Sequence, residues 1–284
     1  MARFFDVHTH LQFAAFKDDW KEAIQRALDK DVWLLNVGTQ RDTSQRAVEV
    51  AYEFSEGVYA AVGMHPIHSE KSYHDAKEIG TDEKAMEFTS RGEKFDYDYY
   101  KQLALDPKVL AIGECGLDYY RLGEETKRKQ AESFLAQIEL AKEIGKPLML
   151  HCRQAFDDLI KILNSQSRIL NSPPGIVHFF SGTKENAKVL LDMGFYFTFG
   201  GVITFARDYD EVIRYIPMER ILSETDAPYV TPEPFRGKRN ESEYVVYVVK
   251  KLADIKGVTE ERMRNQIWEN AKRIFPSLFQ NPRI

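Results

Sequence analysis

Short runs of β-branched or aliphatic residues alternate with amphipathic stretches along nearly the whole chain, and this rhythm limits the fold more than any single motif. The predicted strands are Arg3–His8, Val32–Gly38, Val58–Gly63, Val109–Glu114, Pro147–His151, Gly175–Phe179, Phe195–Phe199 and Arg220–Glu224, eight in all. Between them the apolar spacing turns helical. Trp20, Ile24, Ala27 and Leu28 share one face, as do Phe134, Ile138 and Ala141, and later Val245, Val248, Val249 and Leu252. Strands interleaved with helices build a parallel sheet. A count of eight favours a closed (β/α)8 TIM barrel, a fold that fills about 250 residues as one domain. An open doubly wound sheet is the alternative use of the same elements. The expected architecture is therefore α/β, a single barrel domain over residues 1–284.

One segment breaks the rhythm. More than forty residues separate His65 from the strand at Val109. That is longer than most strand-to-helix connections. It is read as an extended insertion on the barrel rim after the third strand, about residues 69–102, and not as a separate domain. Its ring cluster, Phe95, Tyr97, Tyr99 and Tyr100, could stack on unpaired bases. Anchoring the insertion to the barrel is the favoured reading.

Composition sets outer bounds. Apolar residues at 43% provide for a sizeable core, and the net charge of −5 argues against a broad nucleic-acid-binding surface, which is usually basic. It does not exclude an enzyme that grips a few phosphates through bound ions. No run of eighteen apolar residues occurs, so no membrane partner is expected. The opening Met-Ala-Arg-Phe-Phe-Asp has no apolar signal core, and the expected location is cytoplasmic. No obligate protein partner is evident. Two cysteines, Cys115 and Cys152, imply no disulfide framework. Each follows a candidate ligand on its strand, so alternation turns them outward as reduced packing residues.

The chemistry lies at the strand ends. His8 and His10 in Asp6-Val7-His8-Thr9-His10 point to one side of the first strand. Two such imidazoles suit a divalent ion, although alone they could equally be packed residues. Glu114 ends the fourth predicted strand, His151 the fifth, His178 lies at the end of the sixth, and Asp226 closes the eighth. Residues at the C-terminal ends of barrel strands converge on one mouth, where active sites of this fold lie. Any one of them could be a satisfied core polar group or a helix cap. Ligand-type residues ending five strands are hard to explain that way.

With these residues in place, the chain resembles the TatD family of metal-dependent deoxyribonucleases, within the amidohydrolase-like barrels. The stretches that carry the resemblance are Asp6–His10, Gly63–Pro66, Gly113–Tyr120, His151–Ala155, His178–Gly182, Ser223–Pro232, Arg236–Asn240 and Asn270–Phe275. The resemblance implies two divalent metal ions bridged by Glu114, with His8, His10 and Asp226 on one and His151 and His178 on the other. Such a pair, roughly 3.5–4 Å apart, lowers the pKa of a shared water and clamps attacking and leaving oxygens. Asp226 would orient or deprotonate that water. His65 is implied as a phosphate contact or proton donor, against a local role in the turn before Pro66. Arg153, Arg236, Lys238 and Arg239 are candidate phosphate contacts, since guanidinium forks suit phosphate oxygens. Gln12, Phe179 and Ser242 depart from the family's usual residues; none is a ligand position.

Three functions compete. The first is hydrolysis of phosphodiester bonds at DNA 3′ ends, a 3′-5′ exonuclease, with DNA ends or another phosphate-containing substrate as partner. The second is metal-dependent ester or amide hydrolysis, including deacylation of misacylated tRNA by a D-aminoacyl-tRNA deacylase. The third is a catalytically silent binding barrel, which ranks low because all six ligand positions are present. A carbamylated lysine as the bridge is disfavoured by Glu114 at the end of the fourth strand. Histidines suit Zn2+, and carboxylate and phosphate oxygens suit Mg2+ or Mn2+, so the metal stays open.

Overall fold

The computed structural model describes residues 2–71, 73–74, 88–90, 92–120, 123–166 and 174–280. Eight strands close into an all-parallel barrel: β1 (Phe4–Thr9), β2 (Val32–Val37), β3 (Val58–Val62), β4 (Val109–Asp118), β5 (Leu148–Arg153), β6 (Gly175–Val177), β7 (Tyr196–Phe199) and β8 (Ile221–Ser223). Their order around the barrel is their order in the chain, and β1 closes the ring by pairing Asp6 with Ser223 of β8. Nearly every strand residue is buried. This explains why the strands read as continuous apolar runs: helices cover the outer face and packed side chains fill the inner one.

Helices α1 (Trp20–Asp29), α2 (Arg41–Tyr52), α3 (Tyr97–Ala104), α4 (Glu124–Ile144), α5 (Phe156–Gln166), α6 (Lys184–Asp192), α7 (Asp210–Tyr215), α8 (Val245–Lys256) and α9 (Glu260–Ile274) form the outer layer. Their buried faces are the ones the spacing picks out. Ile24 and Ala27 of α1, Phe134 and Ile138 of α4, and Val245, Val248, Val249 and Leu252 of α8 are all inaccessible or nearly so. On β1, Phe5 faces outward and its ring meets Trp268 of α9 and Phe275 just beyond it, at 6.4 and 6.0 Å between centroids. Strand alternation therefore sends Asp6 and His8 into the barrel.

The largest departure from the predicted strands is β4, which continues four residues past Glu114 to Asp118. Its pairing with β5 shifts register between Ile112 and Cys115, then resumes with Gly116 beside His151 and Asp118 beside Arg153. Gly116 makes the continuation possible. It has φ +137°, and a Cβ there would lie 2.1 Å from the carbonyl oxygen of His151. With no side chain at 116, the two backbones stay paired, and Glu114 and Asp118 both face the barrel interior.

Between β3 and β4 the chain makes a 3-10 helix at Pro66–Ser69, an antiparallel pairing of Tyr73–His74 with Phe88–Thr89, and then α3. Residues 75–87 of the expected insertion, Asp82 among them, lie outside the described residues. The ring cluster packs α3 down: Phe95 stacks on the buried Tyr100 at 4.6 Å, and the Arg41 guanidinium sits 3.9 Å from the Tyr99 ring. Among the described residues, no helix is long and apolar enough to cross a membrane.

Candidate metal centre

The six predicted ligands converge at the C-terminal mouth of the barrel. His8 belongs to β1 and His10 lies one residue beyond it; Glu114 and His151 sit on β4 and β5; His178 and Asp226 follow β6 and β8. Backbone bonds past the last ladder pair bring the chain ends together. The Asp226 N–H donates to the His8 carbonyl at 2.9 Å, and the His10 N–H donates to the Ala227 carbonyl at 2.8 Å. Asp226 has φ +55°, which turns the chain so that its carboxylate meets His8 and His10.

Glu114 divides the site into two halves. Its Oε2 lies 3.3 Å from His8 Nε2 and 3.9 Å from His10 Nε2. Those two nitrogens are 3.2 Å apart, and Asp226 Oδ1 lies 3.7 and 3.4 Å from them. Glu114 Oε1 faces the other way, 2.9 Å from His178 Nε2, 3.0 Å from His151 Nδ1 and 3.2 Å from His65 Nε2. The rings of His8 and His178 stack at 3.8 Å.

These donors fit divalent cations. His10 Nδ1 donates to the Val37 carbonyl at 2.7 Å, so in the neutral ring Nε2 keeps its lone pair. That lone pair meets a second imidazole nitrogen and two carboxylate oxygens, a convergence of electron-pair donors around one point. Imidazole and carboxylate are the ligand types for Zn2+ and similar ions. Two overlapping triads, His8 with Glu114 and His178, and His8 with His10 and Asp226, each bring their ligand atoms within 4.8 Å of one another.

Charge and burial compete throughout. Burial raises the Glu114 carboxyl, but His65, His178 and His8 around it outweigh that and hold it well below the usual carboxylate range. Asp226 is also buried, and His10 and His8 lower it. Burial lowers His8, with His178 adding to the effect, whereas Glu114 and Glu224 overcome burial and raise His178 well above its ordinary value. Burial and the neighbouring His151 push His65 down to about 4, so it is neutral at pH 7.

A second layer of residues, absent from the predicted site, holds the candidate ligands. Asp118 Oδ2 lies 2.9 Å from His151 Nε2. Glu224, fully buried, lies 3.5 Å from His178 Nδ1 while accepting from the Phe179 N–H at 2.8 Å and the Thr198 hydroxyl. Asp6 accepts from the Thr225 N–H at 2.9 Å and from the Thr225 and Ser242 hydroxyls, both at 2.6 Å, which fixes the segment leading to Asp226. Carboxylates behind metal-ligating histidines set ring orientation and tautomer. The available signal was periodicity: Asp118 is two same-side positions from Glu114, and Glu224 is two residues before Asp226. Two buried glutamines on α4 clamp strand ends from outside. Gln137 bonds both N–H and C=O of Met64, beside His65, and Gln130 does the same for Asp118.

The remaining predicted residues divide. His65 joins the cluster: its Nδ1 accepts from the Ile67 N–H at 3.1 Å, which leaves Nε2–H directed at Glu114. Arg153 lies at the end of β5, with its guanidinium 3.7 Å from the ring of the exposed Tyr120. Arg236 is exposed on the loop after β8, bonded to the Thr231 carbonyl at 3.0 Å and 4.0 Å from the Phe205 ring. Lys238 is exposed on the same loop. Arg239 is placed differently from the expectation. Its guanidinium binds both oxygens of Asp19 and one of Glu241 and lies 4.1 Å from the Phe16 ring, so it ties this loop to the start of α1. Of the residues that depart from the family's pattern, Gln12 donates to the Val37 carbonyl that also receives His10, and Ser242 holds Asp6.

Comparison with known proteins identifies the family. The family model described as TatD related DNase matches residues 5–276. YabD of Bacillus subtilis, named an uncharacterised metal-dependent hydrolase, is 39% identical over 95% of this chain and 98% of its own. A protein of Erwinia billingiae named 3′-5′ ssDNA/RNA exonuclease TatD is 32% identical over 95% of this chain and 98% of its own. The crystal structure of YJJV, a TatD homologue from Escherichia coli K12, superposes with a TM-score of 0.79 at 28% identity, covering 97% of this chain and 98% of that one. By family match and relatives alike, the chain belongs to the TatD family of metal-dependent hydrolases.

Proposed function

We propose that this hydrolase cleaves phosphodiester bonds at the 3′ ends of DNA, as a 3′-5′ exonuclease that uses two divalent ions, Mg2+, Mn2+ or Zn2+. The observation that carries the reading is Glu114, one oxygen of which faces His8 and His10 while the other faces His151 and His178. His8, His10 and Asp226 would hold one ion and His151 and His178 the other, with Glu114 shared. When bound, such a pair supplies Lewis acidity, lowering the pKa of a water and neutralising charge on phosphate oxygens.

The chain's own residues account for the rest. Asp226 keeps its carboxyl ionised and its side chain partly accessible, which suits it to orient a water and take its proton. His65, neutral with Nε2 protonated, can donate a hydrogen bond to an oxygen at Glu114's edge of the site. Arg153 at the end of β5 and Arg236 on the loop after β8 carry guanidinium groups that can bind phosphates that follow the scissile bond. Phosphate contacts of this kind position a strand without reading its bases. A recessed site inside the mouth favours a free strand end over the middle of a duplex. The name of the Erwinia relative supports the same substrate class.

The test is a 5′-labelled single-stranded DNA oligonucleotide incubated with magnesium, manganese or zinc, with a chelator control. A metal-dependent ladder shortening from the 3′ end supports the proposal. No cleavage by folded, metal-loaded protein contradicts it, and release of an amino acid from D-aminoacyl-tRNA would then assign the site to ester hydrolysis.

A further inference from the structure

His151 lies between two carboxylates. Its Nδ1 is 3.0 Å from Glu114 Oε1 and 3.4 Å from His178 Nε2, whereas its Nε2 is 2.9 Å from Asp118 Oδ2. Only one ring nitrogen of a neutral imidazole has a lone pair to offer, and the hydrogen bond at the other nitrogen decides which. We propose that Asp118 is the positioning residue that makes this choice, keeping the proton on Nε2 so that Nδ1 presents its lone pair beside Glu114. The inference rests on the reading that His151, His178 and Glu114 hold an ion.

The surroundings of Asp118 fix it in place, and with His65 and His151 it forms a third group of donor atoms within 4.8 Å of one another. Its backbone N–H donates to Gln130 Oε1 at 2.8 Å and its carbonyl accepts from Gln130 Nε2 at 2.9 Å, which pins the residue to α4. Its other carboxylate oxygen, Oδ1, accepts the Tyr120 N–H at 2.9 Å. The side chain is buried, and both its oxygens are used, Oδ1 by the Tyr120 N–H and Oδ2 by the His151 ring. Two acceptors compete for the one proton of the neutral ring, Asp118 Oδ2 at Nε2 across 2.9 Å and Glu114 Oε1 at Nδ1 across 3.0 Å, and an ion beside Glu114 leaves that proton to Asp118. His178 has the mirror arrangement, with Nδ1 toward Glu224 and Nε2 toward Glu114, but the Glu224 contact is longer, at 3.5 Å. Asp118 is therefore the stronger orienting group of the two.

Asp118→Asn makes the claim testable, because its geometry forces an outcome. The Tyr120 N–H, a donor, requires the amide oxygen at the Oδ1 position. The amide NH2 must then face His151 Nε2, which has to accept. The neutral ring moves its proton to Nδ1, aimed at Glu114 Oε1, where an ion would bind. An equivalent aspartate-to-asparagine change in a serine protease triad leaves the geometry intact and inverts the tautomer.

Two measurements on the full chain decide the matter. The first is 15N-histidine NMR of metal-free protein at a pH that leaves the rings neutral, with His151 assigned by loss of its signal in His151→Gln. Wild type should show Nε2–H and Asp118→Asn Nδ1–H, a difference that a purely structural role would not produce. The second is the affinity for zinc. The ion held by His151 and His178 should lose ~10–100-fold in Asp118→Asn, the usual effect of removing an outer-shell partner, while the other ion is unaffected. Asp118→Glu, which restores an acceptor-only group, should recover part of the loss. A matching unfolding midpoint for metal-free wild type and Asp118→Asn excludes misfolding as the cause. Unchanged tautomer and unchanged affinity would overturn the proposal. If wild type bound no ion at all, the metal-site reading would fail, and the tautomer experiment would still decide the role of Asp118.

Discussion

The backbone N–H of Asp226 donates to the carbonyl oxygen of His8 across 2.9 Å, joining the last strand's ligand segment to the first strand's. This contact extends the barrel closure beyond the pairing of Asp6 with Ser223, into the site itself. One half of the candidate metal centre is therefore assembled only when the barrel closes, from residues at opposite ends of the chain.

Because that contact is made by backbone, Asp226→Asn should leave the fold intact and remove only the carboxylate. Hydrolysis is expected to fall by ~10²–10⁴-fold, the range for losing a positioned general base. Steady-state rates alongside a far-ultraviolet circular dichroism melt check this. An unchanged rate would remove Asp226 from the chemistry.

Gln137 bonds both N–H and C=O of Met64 from α4, at 2.9 and 3.0 Å. Gln137→Leu leaves both groups buried without partners, at a cost of roughly 1–3 kcal/mol for each unsatisfied group. Urea unfolding should show the loss in midpoint with an unchanged slope, and His65, the next residue, should lose its fixed position. Wild-type stability in the variant would mean that Met64 finds other partners.

Cys115 and Cys152 are buried, and burial pushes both thiols well above their ordinary pKa. The reactive species is the thiolate. A disulfide-forming thiol reagent at neutral pH should therefore label neither cysteine in folded protein and both after denaturation. Fast labelling of native protein would show that one of them is accessible.

Lys146 supplies the pH dependence. Burial pushes its ammonium down to about 8, and Asp106 only partly offsets this; the group is held by the carbonyls of Ala104 and Asp106. The folded state gives up this proton near pH 8, whereas the unfolded chain keeps it to the ordinary value of 10.5. In that window the unfolded state binds more protons, so this group's contribution to stability rises with pH. Wild type should gain on Lys146→Met between pH 8 and 10.5 in chemical denaturation. A flat difference would contradict the depressed pKa.

The convergence of the six candidate ligands was legible in the sequence because each lies at or just past the end of an apolar run, and a buried strand has few reasons to end in histidine or glutamate. Asp118 and Glu224 were not, for a physical reason in each case. β4 was expected to stop at Glu114, yet Gly116 lets the backbone pass within bonding range of His151. Glu224 was read as the end of a strand, but only burial and the Thr198 contact reveal it as support for His178. Arg239 shows the converse. Its place in a basic loop suggested phosphate binding, and nothing local in the sequence indicates that Asp19, far away in the chain, would claim it.

The most direct test of the account is a count of bound ions. Metal-free protein loaded with manganese or zinc, freed of excess and analysed by mass spectrometry of the metal, should carry two ions per chain. Glu114→Gln, which keeps the shape but removes the shared charge, should retain at most one. Two ions in the variant, or saturation of wild type at one, would contradict the central claim that Glu114 joins two metal-binding halves.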